Sequence, residues 1–308
     1  DNIIMNEAVL KTIKEPSLKI IAERFAKYFL LQKRVVMIEA WIDACQEDER
    51  VHGRVMTLRT VTGRMAHNSP NMAQVPATYS PYGKDCRNLW TVSDPVRYKL
   101  VGTDASGLEL RCLAHYLKDT TYTDEILNGD IHTKNMELAG IKDRDQAKTF
   151  IYAFLYGAGP DKIGKIVGAG KEQGKILIKR FLSNLPALKR LREQVEDAGK
   201  RGRIKAIDGR YLKVRSVHSA LNTLLQGAGA IICKQWLVHI MSRVYQKNLG
   251  VKLVASVHDE YQFEVLNKDV GDFCAITKIA MKETEQTLKL RCPLDNDYKV
   301  GTTWTETH

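Results

Sequence analysis

No apolar run in this 308-residue sequence approaches the ~20 residues that a membrane-spanning helix needs. No signal-peptide pattern opens it either, so no membrane partner is expected. The six cysteines (Cys45, Cys86, Cys112, Cys233, Cys274 and Cys292) include no CxxC pair and give no zinc-ribbon framework. Several lie in apolar stretches, where a free thiol behaves as a small hydrophobe, and a reduced, intracellular compartment is expected. Internal repeats and low-complexity tracts are absent. Acidic residues are in short supply: 36 Asp and Glu face 47 Lys and Arg, a formal charge of +11. Such a deficit points to an anionic partner, nucleic acid foremost. The first residue is Asp1 rather than methionine, which suggests a fragment or a processed product.

What is present reads as alternating helical and strand segments. Leu18, Ile21, Phe25, Phe29 and Val36 recur at helical spacing across 17–45, with Lys19, Arg24, Lys27, Lys33 and Arg34 between them. Residues 51–82 are irregular, because Pro70, Pro76 and Pro81 with Gly53 and Gly63 exclude a long helix. A strand from Tyr98 to Thr103 leads into the helical LELRCLAHYL. Residues 124–200 are mostly helical, with breaks at 157–160 and 168–170. IKAIDGRYLKV at 204–214 is a hairpin turning at Asp208–Gly209. A long helix covers 219–247. Then Val251, Leu253, Ala255 and Val257 alternate, as do Tyr261, Phe263 and Val265, across a two-residue link, His258–Asp259. That link lacks glycine and asparagine, so the turn is locally unfavourable, which is more common at a working site. A last helix, about 268–289, precedes a short tail.

Two motifs carry chemistry. Asp104 in VGTDASGLELR ends an apolar strand, and Asp259 in SVHDEYQ sits at a hairpin tip. Adjacent strands would bring these carboxylates together, where they repel unless a cation lies between them. Such a pair suits two magnesium ions, which activate an attacking oxygen and stabilise a leaving one. The plainer alternative is two unrelated turn aspartates. The second motif is RDQAKTFIYAFLYGAG, a helix capped by Asp143. Arg144, Lys148, Tyr152 and Tyr156 recur every fourth residue and form one stripe. The cations suit phosphates and the rings suit sugar and base. Asn222 and Gln226 share a helix face and suit minor-groove acceptors, which every base pair offers. Arg64, in TGR, could do the same.

Taken in order, DASGLELRCLAHYL, GDIHTKN, RDQAKTFIYAFLYGAG, SALNTLLQGAGA and SVHDE resemble the successive motifs of family A, Pol I-like, DNA polymerases. DASGLELR and FLYGAG are most similar in wording to the replicative polymerases of T-odd phages. The resemblance runs from about Tyr28 to His308. It implies that Asp104 and Asp259 are the catalytic metal pair, with the carbonyl of Ala105 as a further ligand of two Mg2+ ions. It implies that Arg144, Lys148 and His132 hold the dNTP triphosphate, Lys148 also protonating the leaving pyrophosphate. Tyr152 would sit against the sugar, Tyr156 at the templating position, and Glu109 would bar a 2′-hydroxyl. Arg64, Asn222, Gln226 and His258 would contact the primer end and its minor groove, and Glu260 would lie beside the metals.

The expected fold is α+β: a polymerase palm with a small antiparallel sheet, mostly helical fingers and only a remnant of the thumb. Residues 1–50 would be the thumb remnant, 51–117 and 219–308 the palm, and 118–218 the fingers. The expected activity is template-directed addition of dNTPs to a primer 3′-hydroxyl, in the cytoplasm of a phage-infected bacterium. Primer-template DNA and dNTPs are the expected partners. A second polypeptide supplying thumb and 3′→5′ exonuclease, and a processivity factor, are further candidates. A two-metal nuclease shares the paired acids but has no use for the Arg–Lys–Tyr–Tyr stripe. A non-catalytic DNA-binding subunit would leave both aspartates idle. An RNA polymerase is disfavoured by Glu109, since it must admit the 2′-hydroxyl.

Overall fold

The computed structural model describes residues 6–10 and 12–308. The chain divides into two compact units. One comprises residues 1–55 and 67–90, the other residues 56–66 and 91–308.

The smaller unit holds α1 (Glu7–Leu10), α2 (Pro16–Asp43) and α3 (Gly83–Asn88). Pro16 opens α2, where its missing N–H has no helical partner to lose. Trp41 on α2 meets the Trp90 ring edge-on at 5.1 Å. The Arg34 guanidinium donates to the carbonyl of Pro81 at 3.3 Å. Of the apolar residues that recur along α2, Leu18, Ile21, Phe25 and Val36 stay exposed. The chain passes between the units within two short strands, β1 (Arg54–Met56) and β2 (Ala66–Asn68), and again between Trp90 and Thr91.

The larger unit is α+β, as expected. It begins with β3 (Tyr98–Ala105) and a series of helices: α4 (Leu108–Leu117), α5 (Thr120–Leu127), α6 (Ile131–Ala139), α7 (Arg144–Leu155), α8 (Pro160–Ile166), α9 (Lys171–Asn184) and α10 (Pro186–Lys200). A two-stranded ribbon follows, β4 (Arg203–Lys205) and β5 (Tyr211–Lys213). Then come α11 (Ala220–Gln246), β6 (Val251–Val257), β7 (Glu260–Leu266), α12 (Val270–Thr287) and β8 (Asn296–Gly301). Local chemistry sets the helix starts. Asp119, Asp130 and Asp143 each accept a backbone amide of the first turn, and prolines open α8 and α10.

Four strands form one antiparallel sheet in the order β6-β7-β3-β8. One face packs on α11 and α12, where Tyr261 meets Trp236 at 5.5 Å and Phe263 meets Phe273 at 4.8 Å. The helices α7 and α9 share a cluster of Phe150, Phe154 and Phe181 rings, all within 6.0 Å of one another.

Three features depart from the sequence reading. The tail contains a strand, β8, whose exposed Asp297, Tyr298, Lys299 and Val300 give no inward–outward pattern to find. In β6 a bulge between Leu253 and Ala255 interrupts the expected alternation, and Leu253 and Val254 are both exposed. In β7 the intervening Glu260, Gln262 and Glu264 are buried as well, because chain segments cover the second face of the sheet. The Ser93 amide donates to Glu264 at 2.7 Å, and the indole of Trp304 donates to Glu260 at 2.6 Å.

Candidate active site

The site grows from the sheet register. Asp104 on β3 lies opposite Glu260 of β7 on one side and Asp297 of β8 on the other. Asp259 occupies the β6–β7 turn, and its carbonyl accepts the Ala105 amide at 3.2 Å. His258, in the same turn, takes φ +58°, a left-handed conformation that costs a residue with a Cβ. The locally unfavourable link read from sequence is therefore present, and it directs Asp259 back toward β3.

These acids are electrostatically uncomfortable. Loss of hydration, then the charges of Asp259, Glu260 and Asp297, push the Asp104 carboxyl up to about 7, with Lys299 opposing. Asp259 is raised too, by burial first, while Arg64 and His258 pull it down. Glu260 goes the other way. Burial alone would raise it, but donors from His308, Trp304 and Gln262 hold it below the ordinary glutamate range. His308 Nδ1 lies 2.7 Å from Glu260 Oε2, and Gln262 Nε2 donates to Oε1 at 2.6 Å. The segment carrying Trp304 and His308 comes this close because Gly102 has no side chain. A Cβ there would stand 2.2 Å from the carbonyl oxygen of Thr307.

Among the described residues no three His, Cys, Asp or Glu side chains are already arranged as a metal cage. Magnesium does not require one, since it is commonly held by one or two carboxylates together with substrate phosphates. Asp104, raised by burial and the charge of Asp259 among others, and Asp259, raised by burial, have the oxygen chemistry that such a cation neutralises.

The cationic stripe lies on α7. Arg144 is engaged bidentately by Asp130, at 2.7 and 3.0 Å. Asp130 also caps α6 through the amides of His132 and Thr133. Hydrogen bonds from Arg144, then from Thr133, hold the Asp130 carboxyl far below its usual range. His132 is lowered by burial, then by the charges of Lys148 and Arg144, so its imidazole is neutral near pH 7. Its Nδ1 is buried without a hydrogen-bond partner. A buried ring nitrogen without a partner, within the influence of two cations, marks a polar site that is not yet satisfied. The Tyr152 ring lies 6.2 Å from that of His132. Burial, then the charges of Glu109 and Asp259, raise the Tyr152 hydroxyl, so the stripe feels the acids.

Glu109, in the first turn of α4, accepts a hydrogen bond from the Tyr156 hydroxyl and lies 3.6 Å from Arg64. Three residues assigned separate tasks in the sequence thus form one group. Asn222 and Gln226 lie on α11, half-buried, with no side-chain hydrogen bond among the described residues. His258 is exposed. Four residues at the site went unread in sequence. Asp297 sits in a strand without a pattern. His308 and Trp304 lie in the tail beyond it. Asp130 read as no more than a part of GDIHTKN, although its place one residue before a helical run is a cap signal.

The sequence model of DNA polymerase family A matches residues 1–306. The DNA-directed DNA polymerase of Enterobacteria phage T3 is 41% identical over 342 residues, covering 99% of this chain and 49% of that protein. The DNA-directed DNA polymerase of Escherichia phage T7 matches to the same extent. DNA polymerase I of Geobacillus stearothermophilus is 27% identical over 277 residues, covering 83% of this chain and 31% of its own length. The chain thus spans about half the length of the phage relatives it matches. Among solved structures, the POL domain of Pol1 from M. smegmatis, in complex with DNA primer-template and dNTP, superposes with a TM-score of 0.85 at 20% identity. That match covers 97% of this chain and 55% of the other, and it speaks for the fold.

Proposed function

Because the chain belongs to DNA polymerase family A, we propose that it carries a DNA polymerase site, extending a primer 3′-hydroxyl with dNTPs along a template and releasing pyrophosphate. One observation carries this reading. Two carboxylates, Asp104 and Asp259, share the site with a helix stripe of cations and tyrosines in which Asp130 engages Arg144 while Lys148 has no ion-pair partner among the described residues. That is a site divided between a cation pole and an anion pole, and a nucleoside triphosphate with magnesium completes both.

In this reading Asp104, Asp259 and the carbonyl of Ala105 hold two Mg2+ ions, which when bound activate the attacking oxygen and stabilise the leaving one. Arg144 and Lys148 bind the triphosphate, and His132 presents its unpartnered Nδ1 to it. Lys148 delivers a proton to the departing pyrophosphate. Tyr152 packs against the sugar, and Tyr156 defines the templating position. Glu109, held by Tyr156 and Arg64, occupies the space a 2′-hydroxyl would need. Asn222, Gln226, Arg64 and His258 read the primer end through groove acceptors common to all base pairs. Catalysis rests on positioning and charge neutralisation, as phosphoryl-type transfers require.

We assign residues 1–50 to a thumb remnant, 51–117 and 219–308 to the palm, and 118–218 to the fingers. Further sequence, joined to this chain or separate, would complete the thumb and supply 3′→5′ exonuclease; a processivity factor would lengthen synthesis. No helix among the described residues is long and apolar enough to cross a membrane. From the phage relatives we infer a place of action in the cytoplasm of a phage-infected bacterium.

Primer extension with Mg2+ tests the proposal. Asp104→Ala and Asp259→Ala should each reduce extension roughly a thousandfold or more, while DNA binding largely survives. Extension at the unaltered rate by either variant would refute the assignment. Degradation of the primer instead of its extension would mark a nuclease, and binding without chemistry a DNA-holding subunit.

A further inference from the structure

Ser106 turns the chain from β3 toward α4, and all of its polar groups are held. Its amide donates to the carbonyl of Asp295 at 3.0 Å, and its hydroxyl donates to Asp297 Oδ2 at 2.8 Å. Its carbonyl accepts from Arg111 Nε at 2.8 Å, and Arg111 donates as well to the carbonyl of Pro293. The next residue, Gly107, takes φ +58° and has no side chain to brace the turn. Polar contacts to one segment, residues 293–297, thus fix this corner.

That segment is itself braced by α12. Lys278 donates to Asp295 Oδ1 at 2.8 Å and to the carbonyl of Asn296. Lys282 donates to the Leu294 carbonyl at 2.9 Å, and Glu285 accepts the Leu294 amide at 2.9 Å. Asn296 is fully buried and donates to Thr103 at 2.9 Å and to Thr277 at 3.1 Å. A strand without an apolar pattern is therefore ordered by polar contacts from two sides, α12 and β3.

The consequence is the direction of one peptide unit. β7 and β8 flank β3 on opposite sides. The Ala105–Ser106 peptide bond is trans, so its carbonyl points away from its N–H. The N–H is engaged by Asp295 on the β8 side. The Ala105 carbonyl therefore faces the other side, where the Ala105 amide meets the Asp259 carbonyl.

We propose that Asp297 is a positioning residue for the cation site: by holding the Ser106 hydroxyl it keeps the Ala105 carbonyl turned toward Asp259. The task of that carbonyl as a Mg2+ ligand rests on the polymerase reading above. Asp297 is exposed, and a hydrogen bond open to water contributes little to folding. Its effect therefore falls on the site. Partners that orient a metal ligand commonly change metal affinity about tenfold or more when removed.

A double-mutant cycle on the whole chain tests this role. Mn2+ is the probe, its free concentration read by electron paramagnetic resonance, and binding at the site is defined by its loss in Asp104→Ala. Ser106→Ala should weaken Mn2+ binding about tenfold when Asp297 is present. In an Asp297→Ala background the same change should cost nothing, because both residues act through one bond. In primer extension, Ser106→Ala should raise the Mg2+ concentration for half-maximal rate about tenfold and leave kcat at saturating Mg2+ little changed. The Tm in EDTA should not move, and a fall that tracked the lost affinity would mark a merely structural role and overturn the proposal. A Ser106→Ala loss of equal size in both backgrounds would overturn it and leave Asp297 acting on the cation by its own charge. No loss in either background, or no Mn2+ binding by the unaltered chain, would overturn it too. The Mn2+ cycle needs no chemistry. A chain that showed the expected coupling but extended no primer would refute the polymerase reading and keep the positioning role. A chain that extended primers without the coupling would refute the positioning role alone.

Discussion

The acid cluster makes a prediction about stability that is separate from activity. Asp104 titrates near 7 in the folded chain, against an ordinary 3.8, because burial and the charges of Asp259, Glu260 and Asp297 disfavour its ionised form. A folded-state value above the unfolded one means that the native state binds the proton more tightly. Stability from this group is fully present below the unfolded value of 3.8 and is lost as pH rises through about 7. Asp104→Asn removes the charge while keeping the shape. Asp104 is still reached by solvent, which screens the repulsion and leaves about 1–2 kcal/mol at stake at pH 8. For a chain of this size that corresponds to a rise in Tm of about 2–3 °C. The assay is thermal unfolding without metal at pH 5 and pH 8, with EDTA present. The variant should gain on the unaltered chain at pH 8 and little at pH 5. Added Mg2+ should then raise the Tm of the unaltered chain at pH 8 more than that of the variant, because a cation bound only by the native state stabilises it. An Asn variant with an unchanged or lower Tm at pH 8 would refute the argument that these carboxylates repel across the sheet.

Further outcomes follow from single contacts. Glu109→Ala should increase ribonucleotide incorporation, measured by competition between rNTP and dNTP, and an unchanged ratio would remove Glu109 from sugar selection. Tyr152→Phe should reduce use of dideoxynucleotides, because the hydroxyl available to replace a missing 3′-hydroxyl is lost; equal discrimination by the two proteins would count against it. Asp130→Ser keeps a cap for α6 but frees Arg144 from its bidentate partner, so the KM for dNTP should fall with kcat little changed, and a rise in KM would show that Asp130 orients Arg144 for the substrate. Gly102→Val places a side chain where Thr307 and Gln262 already stand; it should destabilise the chain by about 1–3 kcal/mol in denaturant unfolding, and no loss would mean that residues 302–308 do not pack on the sheet.

The sequence alone determined the elements whose signal is local. Helical spacing and the cap Asp143 set α7, Asp208–Gly209 set the ribbon turn, and the strand end and hairpin tip singled out Asp104 and Asp259. The order of the motifs carried the family. Tertiary structure decided what depends on pairing between distant segments. Only the sheet register puts Asp297 opposite Asp104, since a polar edge strand leaves no periodicity to read. Only the cover over β7 explains why Glu260, Gln262 and Glu264 are buried beside the apolar residues of the opposite face. The grouping of Glu109 with Tyr156 and Arg64, and of Arg144 with Asp130, joins side chains from separate segments. Sequence spacing specifies which residues share a face; which faces meet is fixed by the packing of the whole core.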